Sequence, residues 1–226
     1  VSKDNAMTWS EPRLVNGTAG TSAGQVNTFP SVAYSNGAWL ASWQVENGQE
    51  NQPLYIARST NDGAAWSTGL RPDGTPGSVT TGVFSDLDSN NSGMVVLAYH
   101  RLVPSFFGQS YIDFVKSFDN GMTWSYGSWQ FPSDTRPFLV STGPDWYLGR
   151  SYLSTSSVAM SDDSLMSWAY KGLQSGTTPA LCFNSQNAPI AVWLEPTTSN
   201  SGGTTSTLYV ARQLPARADA TWLSID

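Results

Sequence analysis

Positive charge is scarce in this sequence. Three lysines and eight arginines stand against 17 acidic residues, the formal net charge is −6, and no basic run exists. That excludes nucleic acid as a partner, because phosphate binding needs clustered Lys and Arg, and anionic membrane surfaces are disfavoured for the same reason. Cysteine is nearly absent. The lone Cys182, inside the apolar stretch PALCF, leaves no intrachain disulfide and reads as a small buried core residue. The single histidine, His100, lies far from Cys182 in the chain, so no zinc-ligand spacing exists. No apolar run has membrane-spanning length, no signal or transit peptide is visible, and no long stretch carries the 3.6-residue period of an amphipathic helix.

What is present is Ser, Thr, Asn and Gly in abundance, together with ten tryptophans and β-branched runs. A short string recurs. SKDNAMTW (2–9), STNDGAAW (59–66), SFDNGMTW (117–124) and SDDSLMSW (161–168) share a Ser, an Asp or Asn and a Trp at fixed offsets, and DATW (219–222) is a degraded fifth copy. Trp9, Trp66, Trp124, Trp168 and Trp222 follow one another at intervals of 57, 58, 44 and 54 residues. Repeats of roughly 40 to 50 residues plus loop insertions are the length of one four-stranded propeller blade.

Aligned on the Trp, the repeats predict the same strands. First strands are expected at 29–35, 83–89, 136–142 and 178–184, and second strands at 39–45, 94–100, 146–152 and 189–195. Third strands at 54–59, 111–117, 156–161 and 208–213 run into the Ser-x-Asp string, and a variable outer strand follows. This makes one repetitive all-β domain, residues 1–226, of four full blades plus an orphan turn and outer strand at 2–16. The turn chemistry predicts a staple. Asp119 is placed to accept backbone N–H groups two and three residues on, Gly121 to supply a positive φ, Ser117 and Thr123 to bond across the neck, and Trp124 to cover a junction between sheets. Asn61 or Asp163 stands at the carboxylate position elsewhere, Gly63 repeats the glycine, and the copies with Ala6 and Leu165 in its place are expected to be looser.

Ser-x-Asp-x-Gly-x-Thr-Trp resembles the Asp-box, or bacterial neuraminidase repeat, of the sialidase superfamily. SFDNGMTW matches it at every defined position through Ser117, Asp119, Gly121, Thr123 and Trp124; Ser2, Asp4 and Trp9 lack the glycine; Ser59, Asn61, Gly63 and Trp66 lack the Asp and Thr; and Ser161, Asp163 and Trp168 are kept in the last full copy. The likeness covers nearly the whole chain and implies a β-propeller of four-stranded antiparallel blades. Such propellers include glycosidases, lectins and non-enzymatic receptor domains, and their boxes lie away from the ligand. The implied ligand face consists of the loops before the first strand and between the second and third. Here those positions hold Gln44, Glu46, His100, Arg101, Arg136, Arg150, Tyr152 and Glu195.

Three arginines on that face suit a carboxylate or sulfate, since the guanidinium fork donates paired, charge-assisted bonds. The alternative is that each pairs with a local acid or lies over an aromatic ring. Sialidases use an arginine triad in this way, with Phe- or Tyr-Arg-Ile-Pro at a blade entry. The corresponding string here is Asp134-Thr135-Arg136-Pro137, without the Ile. The Tyr nucleophile and its Glu partner have Tyr152, Glu46 and Glu195 as candidates. Trp43 and Tyr152 offer stacking, and Phe106, Phe107 and Tyr111 in LVPSFFGQSY suit a sugar face, a partner or packing. Tyr99 and His100 together would suit lyase chemistry, but adjacent strand residues point to opposite faces.

The expectation is therefore an extracellular, secreted or particle-surface propeller that binds a sialylated or otherwise acidic glycan. Two sequons, at Asn16 and Asn90, are compatible with secretion. The alternatives are a sialidase-type glycoside hydrolase and a non-catalytic protein-interaction propeller. No cofactor or metal is implied, and only a structural calcium in the Asn- and Asp-rich loops is compatible with the composition. Sialidase propellers have six blades; with four here, the chain is a piece of a larger propeller, closes with fewer blades, or is completed by other subunits in an oligomer.

Overall fold

Hairpins dominate the architecture because the sequence alternates β-branched and aromatic runs with residues that tolerate left-handed backbone. Asn36 and Gly37 sit at φ 41° and 85° between the first two strands, the mirror-image turn whose twist matches that of flanking strands. In this computed structural model the described residues are 2, 4–17, 22–46, 52–67, 83–90, 92–102, 110–127, 131–133, 136–162, 165, 168–184, 187–198, 204–213 and 222–225. All the regular elements among them are strands.

β1 (Val26–Ser35), β2 (Ala38–Glu46) and β3 (Leu54–Ser59) form a three-stranded antiparallel sheet in chain order. The next sheet runs β4 (Val83–Ser89), β5 (Val95–Leu102), β6 (Ser110–Ser117), β7 (Ser125–Tyr126), with β8 (Phe131–Pro132) pairing separately with β6. β9 (Phe138–Thr142), β10 (Asp145–Tyr152), β11 (Thr155–Ser161) and β12 (Ala169–Ser175) form a four-stranded sheet, as do β13 (Ala180–Phe183), β14 (Pro189–Thr198), β15 (Thr204–Gln213) and β16 (Trp222–Ile225). Among the described residues the four repeats thus give four sheets of three to five strands, with the expected first, second and third strands each present. By contact density the chain divides into two compact units, residues 1–97 with 115–126 and residues 98–114 with 127–226.

The core follows from the second strands, which are the most continuously apolar. Val95, Val96, Leu97 and Ala98 are wholly buried in β5, and Trp146 and Leu148 in β10. Burying one such leucine contributes about 1.5–3 kcal/mol. Within the second unit, Leu181, Ala191, Trp193 and Ala211 pack with Tyr147 and Val158. Cys182 is a correction to the sequence reading: it is exposed. The two-residue strand period explains it, because Leu181 faces the core and its neighbour must face the other way.

The Ser-x-Asp strings close as hydrogen-bonded turns. Asp119 accepts from the backbone N–H groups of Met122 (3.0 Å) and Thr123 (2.8 Å), three and four residues on rather than two and three. Its carboxylate also accepts from Ser117 Oγ (2.7 Å) and Thr123 Oγ1 (2.6 Å), while Gly121 N donates to Ser117 Oγ at 2.8 Å. Partial desolvation is the largest influence on the Asp119 carboxyl and raises its pKa, but the bonds from Thr123, Ser117 and Met122 together outweigh it and lower the group to about 2. Asn61 performs the same task with one oxygen, accepting from Ser59 Oγ (2.9 Å) and Ala65 N (2.9 Å).

Glycine is not required to close the turn. Ala6 takes φ 65° and the turn makes the same bonds, with Ala6 N to Ser2 Oγ at 2.9 Å and Thr8 N to Asp4 Oδ1 at 2.9 Å. The cost of the missing glycine is left-handed strain, not lost hydrogen bonds. Leu165 likewise sits at φ 49°, with its side chain buried. The tryptophans differ between copies. Trp168 stacks on Phe114 at 5.4 Å and meets Phe131 edge-on, and Trp66 packs against the Trp43–Val45–Ala57 cluster. Trp9 is 70% exposed. Asp163, Phe106, Phe107, Asp134, Thr135 and residues 219–221 lie outside the described residues.

Candidate functional site

Strand register in the second unit gathers several of the expected side chains at one end of a sheet. Phe138 pairs with Gly149, so Arg136, two residues earlier, lies beside the end of β10 that carries Arg150 and Tyr152. Arg150 and Tyr152 are two apart on one strand and share a face. Gly149 makes this end possible: a Cβ there would fall 2.3 Å from the Pro179 carbonyl oxygen, so that backbone can approach only a glycine.

The three arginines have different surroundings. Arg101 donates through Nε to Asp113 and lies over the Tyr111 ring at 5.8 Å. The Asp113 hydrogen bond is the main reason its pKa is raised. Arg150 instead donates to the Pro132 carbonyl and sits between two rings, 5.1 Å from Tyr170 and 5.6 Å from Phe131. Burial pushes its pKa down, and its Nε is buried with no hydrogen-bond partner among the described residues. Arg136 is exposed, and its backbone carbonyl accepts from Thr178 Oγ1 at 3.1 Å.

His100 is buried, and its Nε2 donates to the Ser133 carbonyl at 3.0 Å. Ser133 Oγ in turn donates to the Ser151 carbonyl at 3.1 Å. Arg150 and Ser133 tie residues 131–133 to β10, the strand that carries Arg150 and Tyr152, while His100 ties Ser133 to β5. Glu195 lies one sheet further along. It accepts from Ser175 Oγ and from the Tyr209 hydroxyl, and these two bonds, Ser175 first, hold its pKa below the usual carboxylate range. Tyr209, which stacks on Trp193 at 5.6 Å, is a partner that sequence reasoning missed. The signal for it was available: β15 carries Tyr209 directly across from Trp193, two residues from Glu195.

In the first unit, Glu46 accepts from Thr28 Oγ1 at 3.1 Å, and Gln44 is buried with Oε1 accepting from the Phe84 backbone N–H at 3.0 Å. Trp43 is buried and stacks on Tyr55 at 5.8 Å. Among the described residues no group of three or more His, Cys, Asp or Glu is placed to hold a metal ion.

Solved structures resemble this arrangement of sheets. An α-L-arabinanase from Penicillium chrysogenum, complexed with arabinobiose, superposes with a TM-score of 0.61 at 17% identity, over 88% of this chain and 66% of that one. A Trypanosoma rangeli sialidase in complex with sialic acid gives 0.56 at 11% identity, over 94% and 38%. A family 117 glycoside hydrolase from Zobellia galactanivorans gives 0.56 at 13% identity, over 96% and 73%. These matched chains are β-propeller enzymes. The chain shares their fold. It spans about two thirds of the arabinanase and well under half of the sialidase. No family model and no curated protein matches the sequence.

Proposed function

We propose that this chain is a carbohydrate-recognition propeller of the Asp-box type, extracellular or displayed on a particle surface, and that it binds an acidic glycan at the loop face. Arg136 and Arg150 hold the acidic group and Tyr152 stacks beside it. Arg101 contributes charge while paired to Asp113, and His100 orients the backbone beneath. The observation that carries this reading is Arg150. Its guanidinium is partly desolvated between two rings and bonded to a neutral carbonyl, with no carboxylate partner among the described residues. A desolvated cation without a counter-charge is costly, and an incoming carboxylate or sulfate relieves that cost with charge-assisted bonds. The carbohydrate ligands of structures that share this fold support the substrate class.

The experiment is titration of the purified chain with 3′-sialyllactose and with lactose, in the wild type and in Arg136→Ala. Tighter binding of the sialylated sugar, weakened about tenfold by Arg136→Ala and by raised salt, is the expected result. Equal affinity for the two sugars, or indifference to Arg136→Ala, would overturn the reading. One observation favours a hydrolytic alternative: the Tyr209 hydroxyl bonded to Glu195 is a Tyr–Glu pair of the type a glycosidase of this class requires. Release of free sialic acid, abolished by Tyr209→Phe, would establish that alternative.

A further inference from the structure

Two phenylalanines in the first unit hold backbone conformations that bulky side chains rarely adopt. Phe29 sits at φ 51° and Phe84 at φ 57°, each near the start of the first strand of its sheet. Their rings meet edge-on, 4.6 Å apart, and both are half-buried. β1 breaks register between Thr28 and Ser31, a bulge that re-aims Phe29. Left-handed backbone at an aromatic residue is strained, and residues held in such conformations cluster at active sites, ligand clamps and switch regions.

Polar groups adjoin the backbone that carries the two rings. Thr28 pairs with Gln44 across the strands, and Thr28 Oγ1 donates to Glu46. Gln44 is 1% exposed; its Oε1 is used by the Phe84 backbone, while its Nε2 is buried with no hydrogen-bond partner among the described residues. A buried amide donor of this kind calls for an acceptor. Asp86, which accepts from Ser31 Oγ at 3.0 Å, adds a second negative charge near Phe84.

We infer that Phe29, Phe84, Gln44 and Glu46 form a subsite for a neutral sugar residue. An apolar sugar face packs on the rings, a ring or hydroxyl oxygen accepts from Gln44 Nε2, and a sugar hydroxyl donates to Glu46. The carboxylates of Glu46 and Asp86 disfavour a uronate here, which separates this subsite in chemistry from the arginine-bearing end of the second unit. The inference extends the carbohydrate reading above but does not depend on its acidic ligand.

The test is titration of arabinotriose, cellotriose, galactotriose and trigalacturonate, followed by ligand-observed NMR, against wild type, Phe29→Ala and Glu46→Gln. At least one neutral trisaccharide is expected to bind, trigalacturonate to be absent from this subsite, and Phe29→Ala and Glu46→Gln to weaken neutral binding about tenfold and fivefold. If Phe29→Ala does not fold, Glu46→Gln and the neutral-against-uronate comparison decide alone. Failure of all three neutral sugars to bind, or binding that ignores the Phe29 and Glu46 substitutions, would overturn the inference. Sialyllactose binding that survives such a failure would leave the arginine reading standing.

Discussion

Gly121 offers a sharp test of how the Ser-x-Asp turn is fitted to its sheet. A Cβ at this position would lie 2.0 Å from Leu40 Cδ2 and 3.2 Å from Leu40 Cγ, and the backbone holds φ 79°. The conformational part of Gly121→Ala costs about 1–2 kcal/mol. The steric part costs about 1–3 kcal/mol, because Leu40 is wholly buried and has little room to yield. Ala6 supplies an internal control: the equivalent residue keeps φ 65° with its turn exposed, so alanine alone does not prevent the turn. The excess must therefore come from Leu40. Removing its Cδ atoms by Leu40→Val should cut the cost of Gly121→Ala from about 3 to about 1.5 kcal/mol, an interaction energy of a size that double-mutant cycles resolve. The assay is urea denaturation of wild type, both single variants and the double variant. Additive losses would refute the claim that Leu40 fills the space beside Gly121.

Three further outcomes follow from the same geometry. Asp119→Asn in the wild type forfeits the Thr123 Oγ1 bond to the second carboxylate oxygen, whereas Asn61 beside Ala65 has no such bond to lose; Asp119→Asn should therefore destabilise by about 1 kcal/mol and by about half that in a Thr123→Ala background, read from denaturation midpoints. Because the folded Asp119 pKa of about 2 lies below its ordinary value, its contribution is complete above pH 4 and is lost as pH falls through 2; stability should decline over that window by on the order of 1 kcal/mol after solvent screening, and Asp119→Asn should remove that part of the slope. Leu153 and Ser154 occupy the β10–β11 turn at φ 49° and 60°, with Leu153 72% exposed beside Tyr152; Leu153→Asn with Ser154→Gly should raise stability by about 1 kcal/mol in a thermal melt, and weaker glycan binding in that variant would mark the turn as part of the ligand face.

The parts of the fold legible in the sequence are those governed by local rules. Second strands such as MVVLAYH announce themselves because both faces are buried, and the turn at 117–124 does so because each hydrogen-bonding residue is specific to its place. Features set by long-range packing were not legible. The two-residue β8 carries no periodicity, yet Arg150 grips its Pro132 and His100 the Ser133 that follows it. The bulge at Phe29 has no glycine to signal it. Cys182 looked buried within PALCF because hydropathy averages over a strand whose faces alternate. Of the candidate site, the arginine positions at one end of the second unit could be read from strand order, while their different partners depend on side-chain neighbours that one sequence does not reveal.

The central claim is recognition of an acidic glycan. Its most direct test is incubation of the purified chain with a mixed pool of sialylated and neutral glycans, with bound and free fractions read by mass spectrometry. The account predicts that intact sialylated or sulfated glycans are retained and that Arg136→Ala loses them. A pool that passes through unretained and unchanged would contradict it.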